Sequence, residues 1–261
     1  MGGAGLASGG DGYGIWPPGS LLNGLSESAR QRLFGLGTKR QYSGPDRILI
    51  REGDSTNVVF LLLAGIVKVT GATDAGEALL AIRVGGDVVG ELAALDNRPR
   101  LATVTTAGPV IARVIGQGEF VSFLSRSPDV ALAITRNISD KLRTATARRT
   151  DFTGCTAAVR LARVLLELAV RYGVQTPTGT VVRCPLTQTE VATLAGTTEP
   201  TAQRALRQLR TAGVVASGYR ETTILDMAGL RQHAFPGTDL NAVNARKPTG
   251  DAMCHSRGPD H

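Results

Sequence analysis

Between Gln41 and Val114 short apolar and β-branched runs alternate with glycine-bearing turns: RILIREGD, VVFLLLAGIVKVTG, ALLAIRVGGD, VVGEL, LATVTT and VIARVIG. Gly44, Gly53, Gly65, Gly71, Gly76, Gly86 and Gly90 fall at corners where a Cβ would often clash, so the pattern predicts a compact β-barrel or sandwich. Ahead of it, Leu25 to Leu36 has the spacing of a short amphipathic helix. From near Phe120 the period becomes helical. After Pro128 a stretch reaching about Phe152 places Val130, Ile134, Ile138, Leu142 and Ala145 near every fourth position. Roughly 25 helical residues make a rod of about 37 Å. Its single apolar stripe calls for a partner, either a second copy in a two-fold dimer or the β-domain of the same chain. Thr153 and Gly154 read as a hinge. Thr156 is placed to cap the next helix, in which Leu161, Leu165, Leu168 and Tyr172 share a face before Gly173 ends it.

A strand, TVVRC, leads into residues 186–210, LTQTEVATLAGTTEPTAQRALRQLR. Leu186, Val191, Leu194 and Ala195 mark the apolar side of a first helix, and Gly196 breaks it. Thr198 can cap a second helix through its hydroxyl, with Pro200 in the first turn, where a missing N–H costs nothing. Ala202, Ala205, Leu206 and Leu209 then recur at i, i+3, i+4 and i+7 and share a buried stripe, while Pro200, Arg204, Arg207 and Thr211 point the other way. Small alanines let the two helices approach closely, as a helix-turn-helix requires to present its second helix to a major groove about 12 Å wide. Val214 to Leu225 reads as two strands around a polar turn, a wing that brings Arg220 to a DNA backbone. The plainer alternative is a helix hairpin with solvated arginines.

Charge bears on that choice. Residues 141–233 hold 13 Lys+Arg against 6 Asp+Glu, whereas residues 1–140 carry 13 of each and 234–261 carry 3 of each, so the entire formal charge of +7 lies on the segment with the motif. A neutral module joined to a basic one suggests a sensor coupled to a polyanion binder. Aromatics at 4% disfavour stacking on single strands or RNA and leave duplex DNA as the better target. The longest apolar run, Val58 to Val67, is too short to span a bilayer, and the amino terminus lacks a secretory layout, so the expected location is cytoplasmic. Cys155, Cys184 and Cys254 are far apart and His233, His255 and His261 come late, which offers no ligand set for a metal and no nucleophile–base pairing for an enzyme. Residues 1–20 and 234–261 read as a flexible leader and tail unable to pack.

The order of parts, together with the string VGGDVVGELAALDNRPRLATVTT, resembles the Crp/Fnr family of bacterial transcription regulators over about residues 25–233. The resemblance implies an α+β chain: a cyclic-nucleotide-binding-like β-barrel or jelly-roll sensor domain at 21–127, a long dimerisation helix at 128–153 and a winged helix-turn-helix domain at 154–233. It implies a homodimer on a two-fold site in double-stranded DNA, with RNA polymerase as a further partner and an effector in the barrel. The segment GD-x-x-GEL and the Arg-containing loop after it are similar to the family's phosphate-binding cassette. There Gly90, Glu91, Leu92 and Arg100 would meet a cyclic nucleotide such as cAMP, with Thr146 on the long helix near the base. Leu101 departs from the family pattern, since the nucleotide-binding members carry Ser or Thr at that place, and one phosphate donor is lost. A repurposed barrel in which Arg100 pairs with Glu91 stands as the alternative. In the second helix Arg204 matches the family's base-reading arginine, suited to guanine O6 and N7. Pro200 replaces an acidic residue that reads cytosine, and Glu199 beside it can accept instead. Arg207 and Thr198 are assigned to the backbone, Thr201 and Gln203 to either, and Thr187 and Gln188 complete the DNA-facing set. An effector-independent regulator, and a small-molecule receptor acting through a protein partner, are the rival functions.

Overall fold

The computed structural model describes residues 16–74, 76–182, 184–218 and 221–237. After a 3-10 turn and helix α1 (Glu27–Phe34) come strands β1 (Thr38–Tyr42), β2 (Pro45–Ile50), β3 (Val58–Ala64), β4 (Ile66–Thr73), β5 (Gly76–Val84), β6 (Val88–Val89), β7 (Thr103–Ala107) and β8 (Val110–Gly116), with helix α2 (Glu91–Asp96) between β6 and β7. They form two antiparallel sheets, ordered β1-β8-β3-β6 and β2-β7-β4-β5. The sheets do not close on each other, so this is a jelly-roll-like sandwich, and the closed barrel among the expectations is corrected.

The run VVFLLLA in β3 is continuous rather than alternating because both faces of its sheet are covered. Phe60 and Leu62 point between the sheets with Val67, Val104 and Ala112. Val59, Leu61 and Leu63 point outward, under α1, helix α3 (Gln117–Arg126) and the start of helix α4 (Pro128–Gly154). The segment before α1 joins this outer layer: Trp16 is buried, donates from Nε1 to the Leu63 carbonyl at 3.1 Å and packs on Phe34. The expectation that residues 1–20 cannot pack is therefore wrong for Trp16–Ser20, because one indole supplies enough apolar area to anchor a short polar segment. Gly71 turns no corner either. It lies inside β4 opposite Ala78. The break expected at Thr153–Gly154 does not fall there, since α4 runs through both and is capped by Cys155 in an extended conformation.

Helix α5 (Ala157–Tyr172) begins at Thr156, whose hydroxyl accepts from the Val159 N–H. Strands β9 (Gly173–Thr176), β10 (Gly179–Val182), β11 (Val215–Gly218) and β12 (Glu221–Ile224) make a small sheet ordered β11-β12-β10-β9. Helices α6 (Gln188–Leu194), α7 (Glu199–Thr211) and α8 (Met227–Ala234) pack with α5 on a core of Leu161, Leu165, Leu168, Leu194, Leu209 and Leu230. That core is continuous with Leu79, Ile82 and Val84 of β5, so the carboxy-terminal unit is docked on the sandwich.

Candidate nucleic-acid interface and effector cavity

Thr187 opens the helix-turn-helix with a reciprocal cap. Its hydroxyl accepts from the Glu190 N–H at 3.1 Å, and the Glu190 carboxylate accepts from the Thr187 N–H at 2.7 Å. The turn closes as the Gly196 N–H donates to the Thr193 carbonyl and the Thr197 N–H to the Ala192 carbonyl, with Gly196 at φ +59°. No other residue type sits there easily: a Cβ would enter the ring of Phe152 from the end of α4. Arg160 secures the same turn, donating to the carbonyls of Ala195 and Gly196, each at 2.9 Å.

Helix α7 buries Ala202, Ala205 and Leu209, half-buries Leu206, and leaves Pro200, Arg204, Arg207 and Thr211 exposed. Gln188 and Thr198 are exposed as well. The hydroxyl cap expected of Thr198 does not form, because that hydroxyl meets the Thr201 hydroxyl at 3.0 Å, a partner one turn on that competes with the backbone. Glu199 accepts from the Thr189 hydroxyl at 2.6 Å and from Gln203 Nε2 at 3.0 Å, so Glu199 and Gln203 orient one another on α7. Arg220 lies outside the described residues, in the sequence between β11 and β12.

The basic surplus of this half is only partly outward. Arg148 pairs with Glu167 at 2.8 Å, Arg163 with Asp151, Arg171 with Thr144 and Glu167, and Arg160 with carbonyls. Counting charges along the sequence could not separate these internal arginines from the exposed Arg143, Arg149, Arg204, Arg207, Arg210 and Arg231.

In the sandwich, Gly90 at φ +82° turns the chain into α2, and a Cβ there would meet Arg100 Nη1 at 2.8 Å. Arg100 is buried, at 4% exposure, and donates to the Val58 carbonyl at 2.6 Å, the Gly90 carbonyl at 2.9 Å and the Thr56 hydroxyl at 3.2 Å. Burial lowers its pKa from the ordinary value, against the opposing pull of Asp54 and Glu91. The expected Arg100–Glu91 pair is absent. Glu91 instead meets Lys141 of α4 at 2.8 Å, and the same ammonium donates to the Val88 carbonyl at 2.7 Å. Desolvation depresses the Lys141 pKa, with Glu91 opposing, and raises that of nearby Asp87. Lys141 escaped the sequence reading, although it stands three residues after Ile138 on the stripe, where an interrupting cation signals a buried partner. Thr146 is exposed and does not line the cavity. At about 100° per residue its side chain turns away from the opening, where Thr144 and Ala145 stand instead.

A cavity of about 710 Å³ lies between the cassette, β5, α4 and the helix-turn-helix. Leu92 and Leu101 line it from the cassette, Leu142 and Arg148 from α4, Thr193 and Leu194 from α6. The sandwich and the helix-turn-helix unit thus share its walls. They are further joined by Lys68 of β4 to Glu190 of α6 at 2.5 Å and by the Leu79 N–H to the Thr193 hydroxyl at 3.1 Å.

Comparison with known proteins agrees with this division. Residues 40–127 match the cyclic nucleotide-binding domain model and residues 159–233 the Crp-like helix-turn-helix domain model. The chain is 29% identical over 184 residues to the CRP-like cAMP-activated global transcriptional regulator of Mycobacterium tuberculosis, covering 70% of this chain and 82% of that protein. It is 28% identical over 219 residues to the cyclic AMP receptor protein of Thermus thermophilus, covering 82% and 96%. Among solved structures, FixK2 from Bradyrhizobium japonicum superposes with a TM-score of 0.65 at 22% identity, covering 76% of this chain and 96% of that one, and so shares the fold. With both domain models matched in order on either side of one long helix, the chain belongs to the Crp/Fnr family of transcription regulators, and it is a regulator rather than an enzyme.

Proposed function

We propose that this regulator works as a cytoplasmic homodimer that places α7 of each copy in successive major grooves of a two-fold DNA site, with RNA polymerase as its downstream partner. The observation that carries the reading is the division of α7: Ala202, Ala205 and Leu209 are buried while Arg204 and Arg207 stand free in solvent. Arg204 reads guanine through its planar fork. Arg207 neutralises phosphate, helped by Thr187, Gln188, Thr198 and Thr201. Glu199 and Gln203 present one coupled acceptor–donor edge to a neighbouring base pair, and Pro200 packs without reading it. Arg220 on the wing adds a backbone contact.

Dimerisation is supported by the second half of α4. Val130 and Ile134 are used up under the sandwich, but Leu142 is 66% exposed and Ala145 is exposed too, which leaves an apolar strip for a second α4. No helix among the described residues is long and apolar enough to cross a membrane. Selection from a random duplex library by the full chain, with mass measured in solution, tests the reading. An enriched inverted repeat bound by two chains is the expected result. Weak retention independent of sequence would replace it with the receptor that acts through a protein partner.

A further inference from the structure

We propose that the cavity shared by the sandwich and the helix-turn-helix takes an apolar small molecule, and not a cyclic nucleotide. A sugar–phosphate ring needs a free guanidinium and a free carboxylate at the cassette. Both are occupied by the protein's own groups: Arg100 by two backbone carbonyls and the Thr56 hydroxyl, Glu91 by Lys141. Each is only 4% exposed, whereas Leu101, which stands where a phosphate donor would be, is 76% exposed at the opening. The cavity therefore presents aliphatic and aromatic carbon where a nucleotide would present its most polar edge. Besides Leu101, its lining includes Ile50, Val89, Leu142 and Phe152.

Arg148, which also lines the cavity, already donates from one Nη to the Leu80 carbonyl and from the other to Glu167. A ligand there would cover the apolar walls that Leu92, Leu101, Leu142 and Phe152 present. The volume of about 710 Å³ suits a medium-sized molecule. Because Thr193, Leu194 and Gly196 form part of the wall, such a ligand touches the DNA-binding unit directly. Only that consequence rests on the regulator reading.

The test is fluorescence titration of the full chain with 1-anilinonaphthalene-8-sulfonate, an apolar anion, with decanoate and cAMP as competitors. One saturable site per chain, displaced by decanoate and indifferent to millimolar cAMP, is expected. Ala102→Trp, at a half-buried lining position, fills the space and should weaken the probe by about tenfold or more. Leu101→Glu, at the open rim, should do the same should the tryptophan variant misfold. Displacement by cAMP that is abolished in Arg100→Ala would overturn the proposal, as would absence of probe binding or equal binding in both variants. The assay contains no DNA, so its failure is distinct from a failure of α7 to bind an operator.

Discussion

Lys68 on the sandwich and Glu190 in the first turn of α6 lie 122 residues apart and meet at 2.5 Å, with side-chain exposures of only 12% and 22%. Glu190 also closes the cap on α6, so a single carboxylate both starts the first helix of the helix-turn-helix and ties it to the sandwich. Beneath this bridge, Leu79 and Leu194 belong to one core.

Lys68→Met should therefore loosen the docking of α6 without unfolding either unit. A loss of about 1 kcal/mol is expected for a partly screened pair. Hydrogen exchange reads it as faster exchange at α6 amides with α1 and β3 unchanged. Uniform change across the chain, or none, would show that the bridge contributes nothing to docking.

Arg204→Ala should cost on the order of 1–3 kcal/mol on the preferred site and relax discrimination at one base pair. Arg207→Ala should weaken all sequences alike and flatten the dependence of affinity on salt. Titrating matched and single-mismatch duplexes at several salt concentrations separates the two. Unchanged specific binding in both variants would reject α7 as the reading helix.

Lys141→Met should be among the most damaging single changes in the sandwich, about 3–5 kcal/mol, because it leaves the Glu91 carboxylate buried without its cation. Adding Glu91→Gln should recover most of that loss. A double-mutant cycle in urea checks it, and additive losses would mean the two groups are not coupled.

Gly196→Ala combines a left-handed backbone with intrusion into the Phe152 ring and should destabilise by about 2–4 kcal/mol. Phe152→Ala in the same chain should restore the steric part but not the backbone part. Melting temperatures of the single and double variants decide this.

Stability should fall on the alkaline side. Cys184 is buried and its thiol is pushed up from 9.0 to about 12, so the folded chain holds a proton that the unfolded chain releases above pH 9. Its contribution is fully present below that pH and declines by about 1.4 kcal/mol per unit until the folded thiol itself ionises. Tyr172, raised from 10.0 to about 12 by burial, adds to the decline beginning near pH 10. Cys184→Ala should flatten the slope of urea midpoints between pH 8 and pH 10, and an unchanged slope would show that this thiol does not carry it.

Periodicity made α7 legible before any coordinates, since its alanines and Leu209 repeat at the helical interval and leave the arginines outside. Glycine positions located most corners of the sandwich for the same local reason: positive φ at Gly44, Gly53 and Gly65 is a demand of one residue on itself. Gly71 shows the limit, for its place inside β4 depends on pairing with Ala78 rather than on its own backbone preference. The cap at Thr198 failed in the same way, lost to a neighbouring hydroxyl whose rotamer no pattern of hydrophobic positions reveals.

Local preferences in the chain were enough to specify the β-strands, the long helix, the helix-turn-helix and the outward arginines, because each depends on residues within a few turns or one strand pair of each other. Which cation neutralises Glu91, where Arg100 spends its hydrogen bonds, how Trp16 is buried and how α6 rests on β5 all join groups remote in the chain. Such pairings are set when whole elements pack and every buried charge must find a partner, and that competition is settled only in three dimensions.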